Sequence, residues 1–169
     1  MKTPSPRSST AGLLTHVGLF LTVLLAVTLS GFGLAARAQS SKLQDQLEQT
    51  LRLAALDGRT ERVRSSLDQG AAPDAVDPDG RTALMMAAYN GHTETVQLLL
   101  DRGAKVNAVD LTGRTALMYA ASGPFAPTVQ LLITRGADPN IRDDDEGFTA
   151  LMFAAAEGQV EVIKALLSH

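Results

Sequence analysis

The chain has 169 residues, of which 45% are hydrophobic and 20% charged, and this composition suits one modest globular or repeat domain. Three of the 15 basic residues, Lys2, Arg7 and Arg37, precede Ala38, and all 18 acidic residues follow it, so the body of the chain has a charge of about −6. An acidic body without clustered Lys and Arg excludes nucleic acid as a partner, and the absence of cysteine excludes disulfides, thiolate catalysis, cysteine-based zinc sites and lipidation on cysteine.

The first forty residues have the order of a secretory signal peptide. Two basic residues lie among Pro, Ser and Thr, an apolar run extends over 17–29, and small residues follow over 30–38. As a helix the apolar run would span roughly 20 Å, less than the roughly 30 Å hydrocarbon core of a bilayer. We therefore predict that residues 1–38 are a signal peptide, cleaved after Ala38.

An uncleaved membrane anchor is the alternative interpretation of the same segment. If residues 31–36 extend the apolar run, about twenty residues could cross a bilayer with the basic end inside the cell. In both cases the body, after a short linker at residues 39–45, lies beyond the membrane, which in a bacterium means the periplasm. The sequence thus predicts an exported protein that is either periplasmic or tethered to the inner membrane.

The body of the chain repeats itself with a period of 33 or 34 residues. The segment Gly80–Met85 recurs at Gly113–Met118 and, with Phe in place of Arg, at Gly147–Met152. A second landmark, Gly followed by Ala, keeps nearly the same step at Gly70, Gly103 and Gly136. A period between 20 and 50 residues indicates a solenoid of stacked units.

Each period predicts a helix, a tight turn, a second helix and a loop. Residues 83–90 are rich in the helix formers Ala, Leu and Met, and a glycine follows them. The next helix places Val96, Leu99 and Leu100 on one face. Both helices are shorter than the roughly 12 to 15 residues that an isolated helix needs in water. Burial against neighbouring units must stabilise them, by on the order of 1.5 to 3 kcal/mol for each Leu, Ile or Val.

These repeats resemble those of the ankyrin family. The family pattern is close to D-x-x-G-x-T-P-L-H-x-A-A-x-x-G, followed by a second helix with a V-x-x-L-L core and then by G-A-D-x-N. The matching residues are Asp77, Gly80, Thr82, Leu84, Ala87, Ala88, Gly91, Val96, Leu99, Leu100, Gly103, Ala104, Asn107, Asp110, Gly113, Thr115, Leu117, Ala120, Ala121, Gly136, Ala137, Asp138 and Asn140. The resemblance covers roughly Lys42 to His169. It implies an all-α solenoid of about four stacked helix-turn-helix repeats within a domain at 46–169, with repeats at about 46–78, 79–111, 112–145 and 146–169.

The chain departs from the family pattern in four ways. Ala and Met replace the usual Pro and His of each first helix, so we expect sulfur packing in place of a Thr to His hydrogen bond. Pro124 replaces a turn glycine and Pro127 follows it, which predicts a stiffer and differently shaped turn. An extra residue within 143–145 lengthens the last loop. Ser65 and Ser66 replace leucines of the inner units, which predicts a terminal cap whose outer face meets water.

Three groups of side chains have the composition of a chemical site without its pattern. His92 lacks a nucleophile and an orienting partner, so we interpret it as a turn residue. The acidic run 143–147 lacks the glycine position and the closing glutamate of a calcium loop, so we interpret it as a solvated loop. Met85, Met86, Met118 and Met152 could bind Cu(I), but helical core packing explains them more simply. We predict no catalytic residue, no metal, no cofactor and no enzymatic activity.

The resemblance to ankyrin repeats implies protein recognition on the concave face, through the hairpin loops and the first helices. The candidate partner-binding residues at those positions are Asp79, Arg81, Tyr89, Asn90, Thr112, Arg114, Ser122, Phe125, Glu146, Phe148 and Glu157. Because aromatic and Arg side chains dominate interface energetics, the predicted anchors among them are Tyr89, Arg81, Arg114 and Phe148. Alternatively, the two arginines only pair with Asp77 and Asp110, and Phe148 covers the core.

The sequence therefore predicts a non-catalytic module, exported to the periplasm, that binds another protein whose identity the residues do not reveal. The alternative function is an accessory or protective factor for a periplasmic enzyme, for example in oxidative stress. In that role exposed methionines would be oxidised sacrificially. Contact with the membrane is expected only through the N-terminal segment, if that segment stays uncleaved.

Overall fold

The computed structural model describes residues 37–168, so the predicted signal peptide at 1–38 lies outside them except for its last two residues. The described residues form eight helices, arranged along the chain as four pairs. The pairs are α1 (37–56) with α2 (Thr60–Asp68), α3 (Ala83–Tyr89) with α4 (Thr93–Asp101), α5 (Ala116–Ala121) with α6 (Ala126–Thr134), and α7 (Ala150–Ala156) with α8 (Val160–Leu167). The predicted all-α stack of helix pairs is confirmed.

The first helix begins before the first predicted repeat. Residues 39–45, which we predicted to be a short linker, instead form part of α1. They contain neither Gly nor Pro, and helix formers such as Lys42, Leu43 and Gln44 occupy the middle of the segment. Contacts group the described residues from Gln44 onward into one compact unit. Within residues 37–168, no helix has the length and apolar character needed to cross a membrane.

Stacking of neighbouring pairs builds a continuous apolar core in the unit that begins at Gln44. First helices pack on first helices, α3 on α5 and α5 on α7, and second helices pack in the same way, α4 on α6 and α6 on α8. Equivalent positions of the inner repeats are fully buried, namely Leu84 and Leu117, Val96 and Val129, and Leu99 and Leu132. Because each leucine buries its side chain partly on another repeat, no pair has a complete core of its own.

Buried threonines add a polar link between neighbouring second helices. The hydroxyl of Thr95 lies 2.9 Å from that of Thr60, and the hydroxyl of Thr128 lies 2.7 Å from that of Thr93. Thr95 and Thr128 are both buried, so an unpaired hydroxyl there would cost about 1 to 3 kcal/mol. The pairs therefore favour one register of repeat on repeat.

Methionine takes the place of the family's histidine at the start of α3. The Thr82 hydroxyl accepts a hydrogen bond from the Met85 amide at 3.3 Å, and the Met85 sulfur accepts one from the Thr82 amide at 3.4 Å. This is a capping box closed by sulfur instead of by a carboxylate. Thr115 and Met118 repeat the first of these bonds at the start of α5, also at 3.3 Å. The expected sulfur contact is thus confirmed at α3.

The turn between α5 and α6 differs from the turn between α3 and α4. Gly91 has a φ of +67° in the earlier turn, whereas no residue from Ser122 to Phe125 has a positive φ. Pro124 occupies the position of Gly91, and its ring holds φ near −65°. Pro127 lies in the first turn of α6, where its missing N–H leaves no helical bond unmade. The predicted change of turn shape is confirmed.

The extra residue of the last loop lies after Asp143. In the preceding hairpin the amide of Asp110 donates to the carbonyl of Arg114, four residues on, at 3.1 Å. The amide of Asp143 donates instead to the carbonyl of Phe148, five residues on, at 3.0 Å. The longer loop therefore keeps the hairpin closed and bulges between those two residues.

The two serines of the first repeat differ from each other in exposure. Ser65 is exposed, but Ser66 is buried, and its hydroxyl donates to the Arg62 carbonyl at 3.0 Å. The prediction that both serines mark a water-facing surface is wrong for Ser66. The bond to the preceding turn of α2 satisfies the hydroxyl, and this allows a small polar residue in a core position.

Candidate functional site

A groove of about 470 Å³ opens on the face shared by the first helices and the hairpin loops. It is lined by Leu56, Arg81, Met85, Met86, Tyr89, Arg114 and Tyr119. The Tyr89 ring is 55% exposed and meets the Tyr119 ring edge to face, with centroids 6.1 Å apart. The groove thus has an apolar and aromatic floor, with two guanidinium side chains from the hairpin loops beside it.

One repeat position supplies much of this floor. Met86 and Tyr119 occupy the fourth place of the motif Ala-Leu-Met-x-Ala-Ala in α3 and α5, and Phe153 occupies it in α7. The residues around this place are nearly identical between repeats, whereas the fourth residue changes and is always large. Sequence reasoning treated Met86 as core and omitted Tyr119 and Leu56. Comparing the repeats position by position would have identified Met86 and Tyr119 as candidates.

Arg81 is held by two carboxylates of its own hairpin. Its Nε lies 2.9 Å from Asp77 Oδ2, and its Nη2 lies 2.8 Å from the same oxygen and 2.9 Å from Asp79 Oδ2. The other oxygen of Asp77 accepts the amides of Asp79 and Arg81 at 2.9 and 2.8 Å. The pairing of Arg81 with Asp77 that we considered is therefore present, and the arginine still lines the groove.

The Arg114 side chain reaches forward to the last hairpin loop and to α7 instead of pairing with the carboxylate of Asp110. Its Nε lies 3.5 Å from Asp143 Oδ2, its Nη2 lies 3.3 Å from Asp145 Oδ2, and its guanidinium lies 5.2 Å from the centre of the Phe153 ring. The alternative prediction of an ion pair with Asp110 is wrong because the Tyr119 hydroxyl already donates to that carboxylate at 2.5 Å. Arg114 therefore joins the third repeat to the fourth as well as lining the groove.

Four other candidate residues mainly hold the scaffold together. The Asn90 amide group donates to the Leu56 carbonyl at 2.8 Å, and the Thr112 hydroxyl donates to Asp110 at 2.8 Å. The Ser122 hydroxyl donates to the Met118 carbonyl at 3.1 Å. The Phe125 ring covers Gly91 of the preceding turn so closely that a side chain there would overlap it. None of these four is among the residues that line the groove.

The last four candidates also lie outside the groove lining. Asp79 is exposed beside Arg81, and Glu157 is exposed at the end of α7. The amides of Glu146 and Phe148 donate to Asp143 Oδ1 at 3.3 and 2.7 Å. The Phe148 ring is partly buried against that of Phe153, with centroids 5.7 Å apart, which fits the covering role that we considered for it. Of the eleven candidates, the groove brings together Arg81, Tyr89 and Arg114.

The side chains weighed for other chemistry differ in their surroundings. His92 lies at the start of α4, and its Nε2 is 3.0 Å from the Leu56 carbonyl oxygen. Among residues 37–168, no three His, Asp or Glu side chains converge in an arrangement that could hold a metal ion. Met85 and Met118 are 1% and 2% exposed, so a sacrificial role could involve only the more accessible methionines, such as Met152 at 42%.

The carboxylate of Asp110 holds Tyr119, one of the residues that line the groove. Burial alone would raise its pKa, but hydrogen bonds from Tyr119, from the Arg114 amide and from Thr112 outweigh that effect and lower the pKa below its ordinary value of 3.8. The hydrogen bond between Tyr119 and Asp110 has the opposite effect on the pKa of the Tyr119 hydroxyl. Burial and the bond to Asp110 raise the pKa of Tyr119, so the hydroxyl keeps its proton and stays a donor.

We expect this lowered pKa to make the fold sensitive to acid. The Asp110 contribution is complete above the unfolded pKa near 4 and is lost as the pH falls through the lower pKa of the folded state. The melting temperature should therefore be nearly constant from about pH 7 to 5 and should fall below about pH 4. Burial raises the pKa of Asp77, but its contacts with Arg81 lower the pKa by more. Asp77 therefore adds to the same decrease in melting temperature.

Thermal melts of Asp110→Asn across this pH range test the assignment. The variant should melt lower at pH 7 and lose less on acidification, because the titrating group is gone. Asp57→Asn removes an exposed carboxylate outside the groove and should leave the acid-induced decrease unchanged. An unaltered decrease in Asp110→Asn would contradict the assignment.

Comparison with known proteins agrees with this architecture. A family model described as "Ankyrin repeats (3 copies)" matches residues 51–143 and 113–169, which together cover more than half of the chain. A search of curated proteins found no match to the chain. Ankyrin repeats generally mediate protein–protein interactions and are typically non-catalytic. With four stacked helix pairs and this match, the chain belongs to the ankyrin-repeat family.

Proposed function

We propose that this protein binds a partner protein in the groove between its first helices. The observation that supports the proposal is the exposure of Tyr89, an aromatic ring 55% accessible beside Tyr119 and Met86 in an apolar groove. Large aromatic side chains in such positions contribute disproportionately to protein interfaces, because they bury much area and lose few rotamers. The groove is therefore the favoured contact surface.

The side chains around Tyr89 are held by hydrogen bonds and ion pairs, which favours binding. Tyr119 is held by Asp110, and Arg81 is held by Asp77 and Asp79, so the groove walls are ordered before a partner arrives. A preformed surface loses less side-chain entropy when it binds than a mobile one does. Affinity can then come from one or two inserted side chains of the partner.

Export to the periplasm is part of the same proposal and rests on the sequence alone. The basic start, the apolar run 17–29 and the small residues before Gln39 support a leader that is cleaved or kept as an anchor. The partner would then be an exported or membrane-bound protein. N-terminal sequencing of the mature protein tests this part, and a mature chain that still begins at Met1 in the cytoplasm would contradict it.

Tyr89→Ala is expected to abolish partner capture while leaving the fold intact. The ring is more than half exposed and the repeat's core lies beneath it, so the melting temperature should change by only a few degrees. Affinity capture from an envelope extract, followed by mass spectrometry, would compare the partners of the wild-type protein and the variant. A buried anchor lost from an interface typically costs about 2 kcal/mol or more, which is roughly a 30-fold loss of affinity.

Leu167→Ala is the matched control for Tyr89→Ala. Leu167 is also an exposed apolar side chain, 68% accessible, but it lies on α8, outside the groove lining. Proteins captured by the wild type and by Leu167→Ala, but not by Tyr89→Ala, would be groove partners. If Tyr89→Ala captures the same proteins as the wild type, the groove is not the binding surface. Arg114→Ala is unsuitable here because it would also break the contacts with Asp143 and Phe153.

A further inference from the structure

We infer that the groove takes a peptide segment whose apolar or aromatic anchor is flanked by lysine or arginine. The inference rests on the proposed function and names the chemistry of the partner. It is carried by two observations on the same surface. One is the apolar floor around Tyr89 and Tyr119, and the other is the charge of the hairpin loops beside it.

The hairpin loops that carry or contact the two arginines of the groove are strongly acidic. The segments 77–81, 110–114 and 142–148 contain seven carboxylates but only three guanidinium groups. Four of those carboxylates lie in the consecutive run 143–146 of the last hairpin. The hydrogen bonds around Asp77 and Asp110 lower the pKa values of these two groups, so both are charged at neutral pH. These hairpin loops therefore attract cationic groups.

The arginines of the groove do not offset this charge. Arg81 lies between two carboxylates, Asp77 and Asp79, within 2.9 Å of each. Arg114 likewise lies within 3.5 Å of Asp143 and Asp145. Each guanidinium is thus outnumbered by its own partners, and each group of three retains one negative charge. An acidic partner segment would meet repulsion at both positions.

In each group of one arginine and two carboxylates, one carboxylate is exposed to solvent. The side chains of Asp79 and Asp145 are 70% and 53% exposed, whereas that of Asp143 is buried. Both exposed carboxylates contact an arginine that lines the groove, so an anchor bound beside Tyr89 would place its neighbouring residues within the range of these charges. That range is about 8 Å at physiological salt. Lysine or arginine next to the anchor is the complementary choice.

Selection from a random dodecapeptide library displayed on phage tests the inference without a known partner. The purified protein is immobilised, and peptides are selected in parallel on the wild type and on Tyr89→Ala. Peptides enriched on the wild type but not on the variant depend on the groove. We expect these sequences to share an aromatic or aliphatic residue with lysine or arginine within a few positions of it.

A variant without the two exposed carboxylates then tests whether these side chains contribute to peptide binding. Asp79→Asn combined with Asp145→Asn should weaken binding of a selected peptide about tenfold, and raised salt should weaken the wild-type complex in the same way. The matched control is Glu61→Gln with Glu94→Gln, which removes two exposed carboxylates from the second helices and should leave the affinity unchanged.

The outcomes separate this inference from the proposed function. Groove-dependent peptides that are neutral or acidic would overturn the preference for basic residues and leave the groove as a binding surface. Basic peptides whose affinity is unaffected by Asp79→Asn with Asp145→Asn would also overturn it. Enrichment that does not depend on Tyr89 would count against the groove itself, and so against both proposals.

Discussion

Replacing Leu132 by aspartate should eliminate the cooperative melting of the repeat unit. Leu132 lies on α6 with none of its surface exposed, and α6 packs against both α4 and α8. Truncating such a leucine to alanine typically costs 2 to 5 kcal/mol, and a carboxylate adds the penalty of an unpaired buried charge. Because natural domains are stable by about 5 to 15 kcal/mol, we expect Leu132→Asp to be largely unfolded at 25 °C.

Circular dichroism at 222 nm against temperature measures this loss. Leu167→Asp is the control, because Leu167 is the same residue type on the neighbouring helix α8 but is 68% exposed. The control should retain the helical signal and a melting temperature within a few degrees of the wild type. A cooperative transition of wild-type size in Leu132→Asp would refute the continuous core that Leu132 is inferred to join.

The repeat period allowed the fold to be predicted from the sequence, because the fold itself is periodic. The step of 33 or 34 residues, with Leu99 and Leu132 one period apart, correctly predicted helix pairs stacked over a shared core. Local departures from the repeat were also informative. Pro124 in place of Gly91 predicted a different turn, since proline cannot adopt a positive φ.

The groove was predicted only in part, because its lining depends on how side chains from different repeats meet. Tyr89, Arg81 and Arg114 were recognised from residue type and position, but Tyr119 was omitted although it also lines the groove. The forward contact of Arg114 with Asp143 could not be read from spacing. It depends on Tyr119 already occupying the carboxylate of Asp110, and this contact needs a tyrosine at a repeat position that holds Met86 or Phe153 in the other units.

The junction between the second and third repeats contains a second sensitive point. Gly91→Ala should lower the free energy of unfolding by about 2 to 4 kcal/mol, through two separable effects. The first is conformational, because Gly91 has a φ of +67° and the left-handed region costs other residues roughly 1 to 2 kcal/mol. The second is steric, because a Cβ at this position would overlap the Phe125 ring of the next repeat.

Gly158→Ala isolates the conformational part of this effect. Gly158 has the same φ of +67° in the equivalent turn of the last repeat, but a Cβ there would meet no atom within 4 Å. Chemical denaturation of both variants should therefore show a loss of about 1 to 2 kcal/mol for Gly158→Ala and a clearly larger loss for Gly91→Ala. Equal losses would show that Phe125 moves aside freely and that the contact adds nothing to the junction.

A double-mutant cycle with Phe125→Ala measures the steric part directly. Phe125→Ala alone should destabilise the junction, because it removes the ring that covers Gly91. In its presence Gly91→Ala should cost no more than Gly158→Ala does, since the overlap is gone while the strained φ remains. The two single losses should thus exceed the loss of the double variant by about 1 kcal/mol or more, as is usual for residues in contact. Additive losses would instead mean that the turn, and not the aromatic cover from the next repeat, sets the stability of this junction.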